Sequence, residues 1–108
     1  FTHHPSGPYA AQLRAFHAGE ILYAFDNVAL NPASTEADYA LGKMMSGYWV
    51  AFAKTGDPNH EGAPEWPQWA PKTRPFLELG ATPRAAQGLL GEAKALFDAL
   101  PLAFRVRR

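Results

Sequence analysis

The clearest periodicity in this 108-residue chain lies near its middle. Leu41, Met44, Met45, Tyr48, Trp49 and Phe52 recur at steps of three and one, which places them on one stripe of a helix. The spacing predicts a helix from about Glu36 to Lys54. Thr35 with Asp38 three positions on resembles a capping box, and Glu36 adds a favourable charge to the first turn. Lys54 suits the last turn, and Gly56 followed by Asp57-Pro58 stops the helix. Gly42 and Gly47 each weaken it by roughly 1 kcal/mol relative to Ala, which fits places where another element packs close. A stripe of this kind reads as core rather than as a cofactor site. The rest of the chain offers few long apolar elements to cover it, so Leu41, Met45, Trp49 and Phe52 are expected to lie exposed together.

The flanking segments are shorter. Phe1-Thr2-His3-His4-Pro5 is expected to end a strand and run into an irregular loop marked by Pro5, Gly7 and Pro8. Glu20, Ile21 and Phe25 read as the first turns of a short helix, with Ile21 and Phe25 four apart on one face. Asp26 and Asn27 tolerate left-handed backbone angles and predict a turn after it. Asn31-Pro32 breaks the chain before the long helix. His60 to Pro71 should be an ordered, irregular loop with Trp66 and Trp69 lying on the domain as anchors. Phe76 to Leu79 alternates as a short strand at a sheet edge, Phe76 and Glu78 on one side, Leu77 and Leu79 on the other. Leu89, Leu90, Ala93, Leu96, Phe97 and Leu100 outline a last helix ended by Pro101. The chain shows no internal repeat.

Composition narrows the possible functions. Ten basic residues balance ten acidic ones, which argues against nucleic acid or an anionic membrane as the main partner. The one basic cluster, Arg105, Arg107 and Arg108, reads as a solvated tail. The absence of cysteine removes disulfides, thiolate catalysis and cysteine metal sites. No run is long and apolar enough to span a bilayer, and the start carries no basic-then-apolar leader. The first residue is Phe1 rather than methionine, so further sequence is expected upstream or on another chain. His3 and His4 point to opposite sides of an extended chain, so no zinc site is expected there. Ser6, Ser34 and Ser46 lack the G-x-S-x-G surroundings of a hydrolase nucleophile, and no glycine-rich oxyanion loop is present. Ser34 is a cap candidate and Ser46 lies within the long helix.

The most distinctive chemistry is at Phe16-His17-Ala18-Gly19-Glu20-Ile21-Leu22-Tyr23-Ala24-Phe25. His17 stands between a bulky residue and a small pair, which leaves an imidazole edge open. On these residues alone, it reads first as a surface-loop histidine capping the short helix. The stretch resembles the catalytic-histidine segment of type-B carboxylesterases, a family that includes cholinesterases and bacterial para-nitrobenzyl esterases. There an apolar residue, His, two residues, Glu, an aliphatic residue and an aromatic-rich turn follow in order. Phe16, His17, Glu20, Ile21, Tyr23 and Phe25 fit this pattern. The resemblance continues through Tyr48-Trp49, Phe52-Ala53-Lys54-Thr55-Gly56-Asp57-Pro58-Asn59, Trp66-Pro67 and Phe76 to Gly80. Asp26 departs from it, standing where the family commonly has glycine. Tyr9 and Phe16 are candidates to line a pocket.

The resemblance implies an α/β fold: the C-terminal portion of an α/β-hydrolase, with a mostly parallel central sheet flanked by helices. Residues 1–108 would be the C-terminal part of one catalytic domain, incomplete on its own. It implies hydrolysis of small carboxylic esters by a Ser-His-Glu or Ser-His-Asp triad, with His17 as the catalytic base. The serine, the acid and the oxyanion loop would come from the remaining N-terminal part of the esterase, on the same or a companion chain. Glu20 would support His17 from beneath rather than serve as the triad acid. No cofactor or metal is implied, and neither nucleic acid nor membrane. Two other expectations stand beside this one: an inactive esterase-like module used for binding or adhesion, and a small stand-alone helical interaction domain.

Overall fold

The computed structural model describes residues 1–100. Its longest element is α3, Glu36–Thr55, preceded by α1 (Ala10–Leu13), α2 (Ile21–Ala24) and a 3-10 turn at Val28–Leu30. Two strands follow, β1 (Phe76–Glu78) and β2 (Arg84–Ala86), and then α4 (Gly91–Ala99).

The ends of α3 form as its sequence predicts. At the N-terminus the Thr35 N–H donates to Asp38 Oδ2 at 2.8 Å, the reciprocal arm of a capping box. At the C-terminus Gly56 adopts φ 79° and its N–H donates to Phe52 O at 2.8 Å.

Burial along α3 corrects the expectation of a uniformly uncovered stripe. Leu41 and Met45 are buried, at 4% and 2% exposure, in one core with Tyr23, Val28, Tyr48, Leu77 and Leu79. The physical reason is Gly42. A Cβ placed there would lie 2.5 Å from Val28 Cγ2 and 3.8 Å from Tyr23 Cα. Without one, α2 and the 3-10 turn settle onto the helix and cover its first half. Each aliphatic side chain buried this way contributes roughly 1.5–3 kcal/mol. In the second half of α3 the expectation holds, with Trp49 at 43% and Phe52 at 58% exposure.

The loop after α3 packs back on Tyr48. Its hydroxyl donates to Pro64 O, and its ring meets His60 and Trp66 edge-on, at centroid distances of 4.8 and 5.3 Å. The His60 ring fills the space over Gly47, where a Cβ would approach its Nε2 to 2.7 Å. Asn59 pins the returning chain, its Oδ1 accepting from the Trp66 N–H at 2.6 Å. Trp66 is thus an anchor as expected, whereas Trp69 is largely exposed and anchors nothing in the core.

The first residues do not form the expected strand. The N–H groups of Thr2 and His3 both turn to a single acceptor, Leu79 O, which is not a ladder. Thr2 Oγ1 also donates to Glu78 Oε1 at 3.0 Å, so this segment lies alongside β1. β1 alternates as predicted, with Leu77 and Leu79 buried and Phe76 and Glu78 half-buried. It pairs antiparallel with β2 in the register Phe76↔Ala86, Leu77↔Ala85, Glu78↔Arg84. This is the one sheet among the described residues. The last helix starts at Gly91, so Leu89 and Leu90 precede it, and none of its residues is buried. Pro101 and the arginines at 105, 107 and 108 lie outside the described residues.

Candidate active site

His17 sits on a tight turn. The Gly19 N–H donates to Phe16 O at 3.0 Å, leaving His17 and Ala18 as the central pair. Gly19 is buried, and a Cβ on it would come within 3.0 Å of Phe16 O and 3.3 Å of the Phe16 ring. Its lack of a side chain therefore lets the turn close. Ala18 takes φ 67°, a left-handed angle that costs an alanine roughly 1–2 kcal/mol. Such strain persists only where the surroundings over-determine it.

The chain then enters α2 through Ile21 N–H to Ala18 O at 3.2 Å. Asn27 N–H to Leu22 O at 2.8 Å and Asp26 N–H to Tyr23 O at 3.2 Å close α2 in a Schellman motif. Asp26 fills the left-handed position with φ 53°. The turn expected at the departure from the family pattern is therefore present, and an aspartate serves where glycine is commoner.

The imidazole of His17 is exposed, and no hydrogen bond joins it to another described residue. Glu20 stands at the head of α2, half-buried, with its carbonyl accepting from Tyr23 and Ala24 N–H at 3.0 and 2.9 Å. No hydrogen bond links its carboxylate to His17 among the described residues. Tyr9, Leu13, Phe16, Ile21 and Phe25, which flank the turn in sequence, are all exposed.

The polar centre of the structure is Asp38, which is fully buried. Its Oδ1 accepts from His3 Nε2 at 2.8 Å and Tyr23 OH at 2.6 Å. Its Oδ2 accepts from Ser6 Oγ at 2.5 Å, Thr35 N–H at 2.8 Å and Thr35 Oγ1 at 2.7 Å. Because an ionised carboxylate only accepts, Nε2 is the protonated nitrogen of His3. The rings of Phe1, His3 and Tyr23 pack around the group, with centroids 5.2–6.1 Å apart. Burial by itself pushes the Asp38 carboxyl up. The hydrogen bonds from Ser6, Tyr23 and Thr35 outweigh it and hold the group well below the usual carboxylate range. Burial, reinforced by Asp38, pushes the Tyr23 hydroxyl above the ordinary phenol range and keeps it a donor.

Ser6 and His3 bond different oxygens of the same carboxylate, and no hydrogen bond joins a histidine to the Ser6 hydroxyl among the described residues. A carboxylate of such low basicity is a poor proton acceptor, and this cluster is not a nucleophile with its base. Its role is structural connection across three parts of the chain. Sequence reasoning saw only the local half of that role, the cap. The signal for the rest was available, since Asp38, Leu41, Gly42 and Met45 share the i, i+3, i+4, i+7 spacing of one buried face.

A cleft of about 370 Å³ lies at the other end of α3, lined by Tyr48, Trp49, Phe52, Pro58 and Trp66. His17 is not among its walls, so this apolar cleft is separate from the candidate base.

The family model for the carboxylesterase family matches residues 1–97. The chain is 37% identical over 84 residues to Carboxylesterase 1C of Rattus norvegicus, covering 78% of this chain and 15% of that protein. It is 37% identical over 92 residues to the medium-chain fatty acyl-CoA hydrolase precursor of Anas platyrhynchos, covering 82% and 16%. Among solved structures, a PNB esterase superposes with a TM-score of 0.72 at 27% identity, over 92% of this chain and 20% of that one. An esterase from Clostridium hathewayi, described as hydrolysing aliphatic aromatic polyesters, superposes with a TM-score of 0.71 at 27% identity, over 86% and 19%. The chain thus spans about a sixth of the relatives' length and a fifth of the solved structures'. The fold is that of part of an α/β-hydrolase, and the turn that carries His17, α2 and the capped helix α3 all lie within the matched residues: the chain belongs to the carboxylesterase family.

Proposed function

We propose that this chain forms the C-terminal part of a single serine carboxylesterase domain and supplies its general base, His17. The observation that carries this reading is an imidazole held on a closed, strained turn, exposed and without a hydrogen-bond partner among the described residues. A neutral imidazole has one nitrogen that accepts a proton and one that donates. His17 can therefore face a serine with one nitrogen and an acid with the other. Both of those groups would come from the remaining N-terminal part of the esterase, on the same or a companion chain.

In this reaction the serine hydroxyl attacks the carbonyl of a small carboxylic ester while His17 takes its proton. His17 then protonates the departing alcohol. In the second half it draws a proton from water, which attacks the acyl-enzyme; the serine–acyl bond breaks, the acid leaves, and His17 returns the proton to the serine oxygen. No step calls for a metal or cofactor. Relatives are named as carboxylesterases and as a fatty acyl-CoA hydrolase, both consistent with acyl transfer to water. Glu20, at the head of α2, supports His17 from beneath and takes no proton itself.

The test is a fluorophosphonate probe applied to the complete protein and to its His17→Ala variant. A serine hydroxyl is almost wholly unionised at neutral pH and needs a base in contact with it. Rapid labelling of one serine, lost in the variant, is expected. An unlabelled wild-type protein, or a variant labelled at the same rate, would defeat the reading.

A further inference from the structure

We propose that Asp38 is a positioning residue for His17, a single buried carboxylate that fastens both ends of the segment presenting the imidazole. The inference rests on the reading of His17 as the base and extends it to a residue on another element.

The segment in question runs from residue 7 to residue 22. Its incoming end is tied to Asp38 through His3 and Ser6, at 2.8 and 2.5 Å. Its outgoing end is tied through Tyr23, at 2.6 Å. Asn31 Nδ2 adds a bond to Ser6 O at 2.8 Å. Between these points only Leu22, at the outgoing end, packs against the core. α1 buries no residue, and the backbone bonds within it are local, such as Ala10 N–H to Gly7 O and Gly19 N–H to Phe16 O. The placement of His17 relative to α3 is therefore set where the segment starts and stops. Both places are the same carboxylate.

The chemistry of the group suits that task. Five donors converge on two oxygens at 2.5–2.8 Å, each bond strengthened by the negative charge. Asp38 is itself held at the first turn of the longest helix, where the capping box fixes its rotamer. An asparagine would have the same shape but would turn an NH2 toward donors on one side. A proton-transfer base must be placed to within a fraction of an ångström, since a misplacement of about 1 Å can cost on the order of 100-fold in rate. Releasing one anchor should thus appear as lost turnover rather than lost affinity.

The experiment uses the complete protein with Asp38→Asn and Tyr23→Phe, each made alone and combined with His17→Ala. Turnover and KM for a p-nitrophenyl ester are read well below each variant's melting temperature. Asp38→Asn is expected to lower kcat by about 10- to 100-fold while KM stays within about threefold. Tyr23→Phe removes one hydroxyl and is expected to lower kcat by roughly 3- to 10-fold. On the His17→Ala background neither change should cost anything further, because a residue acting through His17 has nothing left to position. If Asp38→Asn does not fold, Tyr23→Phe decides on the same two criteria. Wild-type kcat with only a lowered melting temperature would overturn the proposal, as would an equal loss with and without His17. A His17→Ala protein that kept its activity would instead defeat the underlying reading, whatever Asp38→Asn did.

Discussion

His17, on a tight turn, and Asp38, in the first turn of α3, are both polar residues, yet their surroundings are opposite. Asp38 is fully buried and accepts five hydrogen bonds. His17 is exposed and has no hydrogen bond to a described residue. On the proposed reading of His17 as the base, the difference follows from what each group must do. A buried charge is tolerable only when its lone pairs are filled, and a group so satisfied has no capacity left for reaction. A general base needs the reverse: a free lone pair, and a backbone rigid enough that the free group stays in place. The chain separates the two requirements, concentrating satisfied polarity at the base of a segment and leaving unsatisfied polarity at its tip.

The largest expected effect comes from removing the tip. In the complete protein, His17→Ala should lower ester turnover by up to about 10⁶-fold, the scale seen for a catalytic histidine in a serine protease. The variant should still fold, because the turn is closed by the backbone bond from Gly19 N–H to Phe16 O. A p-nitrophenyl ester assay, with circular dichroism on both proteins, reads both. Turnover within tenfold of wild type in a folded variant would place His17 among ordinary surface residues.

Removing the base should give the opposite signature, a loss of stability. Asp38→Ala leaves five donors without their acceptor and should destabilise the fold by about 3–5 kcal/mol, measured by urea unfolding. A loss under 1 kcal/mol would mean that the donors find water instead. The charge also has a pH dependence of known sign. The folded-state pKa of Asp38 is depressed, so its contribution is fully present above the ordinary aspartate value of about 3.9 and is lost as pH falls below it. The stability gap between wild type and Asp38→Asn should therefore narrow on acidification below about pH 4. A gap independent of pH would mean that Asp38 is not ionised in the folded state.

Smaller effects sharpen the division. Glu20→Gln should lower turnover by roughly 10- to 100-fold, the range for residues that support a functional group without reacting. Equal losses from Glu20→Gln and His17→Ala would promote Glu20 to a direct catalytic role. Least of all, Ala18→Gly should raise stability by up to about 1 kcal/mol, since glycine adopts φ 67° without the Cβ clash but loses more entropy on folding. A destabilised glycine variant would show that the Ala18 methyl makes contacts outweighing its strain.

What could be read along the chain was what depends on neighbours in sequence. The bounds of α3 follow from its apolar period, from Thr35 and Asp38 three apart, and from Gly56. All of these act within one turn of the helix, and all were found where expected. The left-handed turn at Asp26 and the alternation of β1 are local in the same sense. The order Phe16, His17, Glu20, Ile21 likewise sufficed to point to a family. Tertiary structure decided what depends on contacts between distant residues. Asp38 meets partners 15, 32 and 35 positions away, and no spacing rule connects them. Gly42 lets two short elements cover Leu41 and Met45, so a stripe that looked exposed is half buried. The amides of Thr2 and His3 find one carbonyl where a ladder was expected, and Trp69 turns outward while Trp66 does not. Local rules describe how a backbone closes its own hydrogen bonds, whereas burial depends on which surfaces meet, and that is settled only when the chain packs.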